Sequence, residues 1–479
     1  MPLLFFFYPE VIDYLRLADF YGDATMVFHE CMKVLNGKGF ASVPFFNTHL
    51  VLLFYFLAPI SAFFGGGFLI FVFMHLFAGA LIPYIGFKFC KRITGSLAAG
   101  LLFYLAILLN PYFITTVTEI HFEIFGMLFL FLFVFFALSN RFDVSMVFFI
   151  LALCAKEDVY LYAASIALVI ARQIGIRRSL VCLAISSAYF FLVVRGLWPH
   201  YFPNTDERMM HSVRGGSEID FLLSLFSSDA IFKAFSPDMR SFLLSWSGFL
   251  LAAVPTESIP LFGLMVVYAN AIYRKMSTLQ YYYSWPLQIT VIILNLLVII
   301  KVVRWIEGGR QILARFKITF SPAILVCLIL VIFSVATLIF PPRALSPIFA
   351  GNRFLNRYSA DDLVIRKTVI ELVNSNGSAL VDDTLYGILA NRQTLCLSSF
   401  DSCGANAFLT RHVVFDYLAF TPNRVSRRSS EVCRQKLLAE LRSDERYHLL
   451  KNDGNLIIYK LNDGLIATPM NDRPDALKN

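Results

Sequence analysis

Between residues 68 and 341 the chain is a succession of apolar runs of bilayer-crossing length, and that succession constrains its fold more than any single motif. A transmembrane helix needs about 20 predominantly apolar residues. Candidate spans lie at 68–87, 95–110, 124–139, 179–197, 285–303 and 319–341. Two longer stretches read as helical pairs with an internal break. Residues 144–172 are interrupted by Lys156, Glu157 and Asp158, and residues 241–273 by Pro255, Thr256, Glu257 and Pro260. Such half-helices are tolerated where the break is buried in protein or lines a water-filled recess. Residues 43–64 are also apolar but contain His49 and Pro59, which suits a helix at the membrane interface.

Charge divides the chain in two. Residues 1–344 hold 24 Lys/Arg and 18 Asp/Glu, whereas the much shorter segment 345–479 holds 17 and 15. The second segment has the charge density of an ordinary soluble domain, and the first has about half of it. The fold expected is therefore a mainly α multi-spanning membrane protein with a small C-terminal α/β domain. Its expected parts are a first outer segment with interfacial helices over 1–66, a transmembrane helical domain over 67–344, a soluble domain over 345–465 and a flexible tail over 466–479. A chain that is 58% hydrophobic, with 50 phenylalanines, is neither disordered nor a disulfide scaffold. The net charge of +8 is what basic loops beside apolar spans produce, so no nucleic-acid partner is implied.

Sidedness follows from where those basic residues fall. Lys88, Lys91, Arg92, Arg141, Arg172, Arg177, Arg178, Lys301, Arg304, Arg310, Arg315 and Lys317 crowd a few short loops on one side. By the positive-inside rule that side is cytoplasmic. The chain then sits as a multi-pass protein in the cytoplasmic (inner) membrane, with its C-terminal domain extracytoplasmic. The same parity gathers Asp23, His49, Glu119, His121, Glu123, Glu157, Asp158 and Tyr281 to Tyr283 on the outer side, which points to a site at the outer boundary of the membrane. No secretory signal peptide is visible at the start.

Each local motif has a functional and a structural reading. Asp23 precedes the run from Ala24 to Leu35, so it is either a helix N-cap or a catalytic base. Glu119, His121 and Glu123 alternate at the mouth of the 124–139 span, and two carboxylates with an imidazole can hold a divalent cation or form a polar collar. Lys156-Glu157-Asp158 is the sharpest signal, because ionisable residues inside an apolar stretch are costly unless paired or solvated. Lys156 can hold a phosphate with Glu157 or Asp158 as its partner, or the three can simply make a polar turn. Gln280-Tyr281-Tyr282-Tyr283-Ser284-Trp285 fits an interfacial aromatic belt or a surface that stacks on a sugar or lipid. Arg195, His200, His211, Arg214 and Arg240 populate the long outer segment and can meet an anionic headgroup. Gly65-Gly66-Gly67 is a turn rather than a phosphate loop.

The soluble segment reads as a helix over 361–374, a strand over 378–381, strand-like runs at 394–397 and 412–419, and a helix near 429–443. A hairpin follows over 447–461, turned at Asn452-Asp453-Gly454. No catalytic constellation stands in it. There is no Cys-x-x-Cys pair among the eight cysteines, and Cys396 and Cys403 are either two free thiols or a disulfide.

Taken in order, these motifs resemble the DUF2079 family of predicted bacterial and archaeal membrane proteins. The resemblance runs through Asp23, His49 ahead of Leu53-Phe54-Tyr55-Phe56-Leu57-Ala58-Pro59, Ile120-His121-Phe122-Glu123, Lys156-Glu157-Asp158 and Gln280 to Tyr283. It continues through Ser378 to Asp383, Leu389-Ala390-Asn391-Arg392 and Asp453-Gly454. His121-Phe122-Glu123 lacks the proline of the family pattern. The family in turn is similar to GT-C glycosyltransferases, which use polyprenyl-phosphate sugars. That resemblance implies a sugar transferred from a polyprenyl-phosphate donor to an extracytoplasmic acceptor, with Asp23 as catalytic base. His49, His121, Lys156, Glu157, Asp158, Arg240 and Tyr282 are then the substrate-binding candidates, and Glu119 and Glu123 the candidates for a divalent cation. The partners implied are the lipid-linked sugar, membrane lipid and an acceptor the motifs do not name. The family pattern also places a span ahead of Asp23, and only about eight apolar-leaning residues precede Glu10, so that span is shortened or missing. Broken helices with ionisable residues equally fit a transporter or flippase of a lipid-linked or small anionic substrate. A scaffold that presents the soluble domain is the third reading.

Overall fold

In a computed structural model the residues described are 28, 31, 49–64, 68–201, 227–269, 279, 281–315, 321–342, 360–373, 377–381, 385, 394–396, 414–422, 438–465 and 467. Asp23, Gln280, Cys403 and the triple glycine 65–67 lie outside them, as do residues 1–22, the tail beyond 467, and the side chains of Tyr281, Tyr282 and Cys396.

The membrane part is helical. Its first helices are α1 (Phe54–Phe63), α2 (Phe68–Thr94), α3 (Leu97–Leu108) and α4 (Pro111–Thr118). They are followed by α5 (Glu123–Leu138), α6 (Phe142–Leu153), α7 (Val159–Val169) and α8 (Ile176–Ala188), which runs on as a π-helical segment, Tyr189–Leu197. Then come α9 (Pro237–Ser245), α10 (Pro255–Ala269), α11 (Trp285–Arg315) and α12 (Pro322–Ile339). Among the described residues four stretches are long and apolar enough to cross a membrane: Leu69–Thr94, Ile176–His200, Trp285–Trp305 and Pro322–Ile339. Helices α3 and α4 make a fifth if counted as one span bent by 62°. The bend has a local cause. Leu109 and Asn110 leave the helix, Asn110 caps α4 through the amide of Tyr112, and Pro111 supplies a first helical residue that needs no donor.

Both stretches read as broken from their charges and prolines are broken in the structure. The first is interrupted between Leu153 and Val159, around Lys156. The second leaves the α-helix after Ser245, makes a 3-10 turn over Gly248–Ala253 and resumes at Pro255. Exposed backbone at the second break is satisfied by side chains from neighbouring helices, as a lipid environment requires. Asn110 Nδ2 donates to Ser245 O at 3.0 Å, Ser334 Oγ to the same oxygen at 3.4 Å and Asn295 Nδ2 to Trp246 O at 3.2 Å. Helix α11 is the centre of this unit, with 78% of its most apolar window buried. Gln288, one face of α11, places Nε2 against Tyr112 O, Thr116 Oγ1 and Ser284 Oγ, tying α11 to α4.

One expectation needs correction here. Trp285 does not stand in an interfacial belt: it is 2% exposed and packs edge-on against Tyr162 with ring centroids 5.3 Å apart. Flanking by tyrosines and a following apolar run looks the same for an interfacial and a core tryptophan.

The C-terminal part, taken by itself, is a small mixed α/β domain. Helix α13 (Ala360–Leu372) precedes five strands: β1 (Ala379–Val381), β2 (Thr394–Cys396), β3 (Tyr417–Phe420), β4 (Tyr447–Asn452) and β5 (Ile457–Leu461). Their order is β2-β1-β3-β5-β4, with β1 parallel to β2 and β3, and β5 antiparallel to β3 and β4. Apolar residues lie on both faces of the central strands, Leu380 and Leu418 in one cluster and Val381 and Ala419 in another. The hairpin turn falls at 453–456, where the Asp453 carboxylate accepts from the amides of Asn455 and Leu456 and Gly454 takes a positive φ of 83°.

Before β4, Asp444 and Arg446 form a two-point pair: Nε donates to Oδ1 at 2.9 Å and Nη2 to Oδ2 at 2.6 Å. Those charge-assisted bonds hold the Asp444 carboxyl below the usual carboxylate range. The stabilisation is therefore fully present above the ordinary aspartate value of about 4 and is lost as pH falls through the lower folded-state value. Hydrogen exchange of β4 and β5 in the full-length protein should show protection dropping below about pH 4. The Asp444→Asn variant should be less protected at neutral pH and show a shallower acid dependence. Identical curves would assign the acid response elsewhere.

Candidate functional site

The break between α6 and α7 is where ionisable side chains meet. Helix α6 ends when Cys154 closes its last turn, and α7 resumes at Val159 with a bond from its amide to Lys156 O. Lys156 is thus carried on non-helical backbone, with its side chain turned into the protein and the residue only 9% exposed. Close approach of α5 makes its partner available. Gly126 lies opposite Ala155, and a Cβ built on it would stand 3.1 Å from the Ala155 Cβ and 3.5 Å from Trp285. One turn earlier on α5, Glu123 is 1% exposed and accepts from Lys156 Nζ at 3.3 Å. A buried ammonium is very costly alone, so this pairing is the condition for Lys156 to be there at all.

From that pair the network runs in two directions. Glu123 Oε2 is in direct contact with His121 Nδ1. The His121 main chain is held by His75 of α2, whose Nε2 lies 2.9 Å from Val117 O and whose Nδ1 lies 2.8 Å from His121 O and 3.3 Å from the His121 amide. In the other direction, Lys156 Nζ lies 3.8 Å from Asp158 Oδ2, which also accepts from Tyr162 Oη at 2.9 Å. Tyr162 Oη in turn accepts from Tyr268 Oη at 3.0 Å. Glu157 faces elsewhere. Its carboxylate pairs with His49 Nδ1 at 3.0 Å and accepts from the amide of Leu50 at 3.0 Å, while the Leu53 amide donates to Cys154 O at 2.8 Å. The stretch from His49 to Leu53 is thereby stapled onto the helix break.

Of the residues singled out from sequence, His49, His121, Glu123, Lys156, Glu157 and Asp158 are brought together at this break. Arg240 is not part of that network; it is exposed near the start of α9. Glu119 ends α4, with its amide bonded to Thr115 O. Tyr282 lies in a 3-10 turn, Tyr281–Ser284, and its side chain is outside the described residues, as is all of Asp23. No group of three or more His, Cys, Asp and Glu side chains that could hold a metal ion occurs among the described residues. The donor set agrees, since the Lys156 ammonium stands where a cation would sit against Glu123, and two positive charges there would repel each other.

Three members of the network escaped the sequence reading. His75 is a single polar residue inside an apolar span, and that oddity was the available signal. Tyr162 and Tyr268 carry none, because a tyrosine in an apolar helix counts as hydrophobic until its hydroxyl finds a partner.

Residues 21–458 match the sequence pattern of the predicted membrane proteins called DUF2079. The chain belongs to the DUF2079 family. No curated protein sequence matches it. Among solved structures, this DUF2079 protein is similar to ArnT from Cupriavidus metallidurans, whose crystal structure was determined bound to undecaprenyl phosphate. The two share 13% sequence identity and superimpose with a TM-score of 0.53 over 98% of each chain. At that identity the likeness concerns the fold, and it agrees with the expected mainly helical architecture with a small C-terminal α/β domain.

Proposed function

We propose that this DUF2079 protein is a membrane glycosyltransferase that moves a sugar from a polyprenyl-phosphate donor to an extracytoplasmic acceptor. The observation that carries the reading is Lys156, a buried ammonium at a helix break within an ArnT-like fold. An ammonium has three donors, and Glu123 takes one of them at 3.3 Å. A phosphate oxygen is a ligand that can accept from the N–H donors left over in so dry a place. In the reaction, the acceptor hydroxyl oxygen attacks the anomeric carbon as the bond from that carbon to the phosphate oxygen breaks. The hydroxyl proton passes to Asp23, and the negative charge developing on the departing polyprenyl phosphate is met by Lys156. The site then opens outward in the inner membrane, with the C-terminal domain on the same, extracytoplasmic side. No step of this scheme requires a metal.

The test is sugar release from polyprenyl-phosphate donors by the purified full-length protein, wild type against Asp23→Asn. A loss of about a hundredfold or more in the variant is expected for removal of a general base. Undiminished turnover would remove Asp23 from that role.

A further inference from the structure

We infer that Tyr162 and Tyr268 are positioning residues that keep Asp158 from closing on Lys156, so that the ammonium stays available to a lipid-linked phosphate. The inference rests on the lipid-phosphate reading above and goes beyond it by assigning two residues that act through a third. Both hydroxyls are buried in the helical unit, Tyr162 at one turn into α7 and Tyr268 near the end of α10. They form a directed chain, Tyr268 to Tyr162 at 3.0 Å and Tyr162 to Asp158 Oδ2 at 2.9 Å.

The decisive geometry is at that oxygen. The same Oδ2 that accepts from Tyr162 is the one nearest Lys156, and it stands at 3.8 Å, outside hydrogen-bonding distance. Glu123 reaches the ammonium at 3.3 Å. Asp158 is therefore tethered away from the lysine by a phenol that is itself fixed by a second phenol. A donated hydrogen bond also draws negative charge density toward the tyrosine. If the Tyr162 hydroxyl is removed, Oδ2 loses its fixed donor and its strongest remaining partner is the lysine. The carboxylate then moves to contact distance and competes with an incoming phosphate for the same N–H groups. Packing alone does not account for the arrangement, since the Tyr162 ring would keep its edge-on contact with Trp285 without any hydroxyl.

The test uses full-length protein in detergent and undecaprenyl phosphate as probe, with affinity read by native mass spectrometry. Wild type should bind. Tyr162→Phe should weaken binding about tenfold, the usual worth of a hydrogen bond to a charged group, and Tyr268→Phe by a smaller factor. In an Asp158→Asn background, adding Tyr162→Phe should change nothing further, because the residue through which it acts no longer carries charge. Near-wild-type unfolding midpoints should accompany these effects, as both substitutions retain the ring. Equal affinity of wild type and Tyr162→Phe would overturn the inference while leaving the lipid-phosphate reading standing. So would a tenfold loss that persists in the Asp158→Asn background, since that marks a role independent of Asp158. Failure of wild type to bind the probe would instead overturn the lipid-phosphate reading, and the inference with it.

Discussion

Turnover of a polyprenyl-phosphate sugar should fall by about a hundred- to a thousandfold in Lys156→Ala, the range seen when a preorganised charge stabiliser is removed from a dry site. The expectation comes from position. Lys156 is the cation at the α6–α7 break, and its ammonium is held by Glu123 at 3.3 Å with Asp158 farther off at 3.8 Å. In water a single ammonium contributes little to a phosphate leaving group, because solvent screens it. Where the residue is 9% exposed the same charge acts in a much lower dielectric. Arginine should rescue poorly, for a compact point charge is replaced by a planar fork that presents its donors differently. A kinetic split adds discrimination. If Lys156 meets charge that develops on departure, kcat falls; if it only holds the ground-state phosphate, KM rises and kcat is kept. Full activity in Lys156→Ala would place the chemistry elsewhere in the protein.

How much of this site was legible beforehand depends on what a linear sequence can display. Lys156-Glu157-Asp158 announced itself, because three charges inside an apolar stretch are expensive, and the structure places the helix break there. The second break was expected at Pro255 to Pro260, but those residues lie inside α10 and the break falls just ahead of them, between Ser245 and Pro255. Which charges meet was not legible. From sequence Glu123 was grouped with Glu119 as a candidate for a cation, and Lys156 was given Glu157 or Asp158 as its partner; only the close approach of α5 at Gly126 makes Glu123 the lysine's counter-ion. Glu157 and Asp158 are neighbours in the chain yet face different partners, His49 and Tyr162, since the backbone leaves the helix between Cys154 and Val159. Strand boundaries in the C-terminal domain were displaced for another reason. The run 412–419 looks continuous in β propensity, but pairing with β1 and β5 begins only at Tyr417, after Asp416 has bonded the amide and hydroxyl of Ser378. Residue type sets where a strand is permitted, and its partner sets where it starts.

Stability should respond to the same cluster in a way that separates holding the fold from doing the chemistry. Glu123→Ala should destabilise the helical unit by about 3 kcal/mol, because it strands a buried ammonium rather than because an attractive contact is lost. The carboxylate is 1% exposed, so water cannot take its place beside Lys156 without opening α5 from the helix break. Asp158 at 3.8 Å would move in as a substitute, and that movement drags on Tyr162 and the hydroxyl chain behind it. The double variant Glu123→Leu with Lys156→Met removes both charges and fills similar volume. It should unfold at or above the wild-type midpoint, since two desolvated charges are exchanged for apolar packing. It should also be inactive. Thermal unfolding in detergent, followed by tryptophan fluorescence through buried Trp285, measures both variants. A double variant as unstable as Glu123→Ala would mean the pair contributes net stability and is there to build the bundle. Recovery of stability without recovery of turnover would mean that a free-energy cost is borne at the α6–α7 break for the sake of a positive charge.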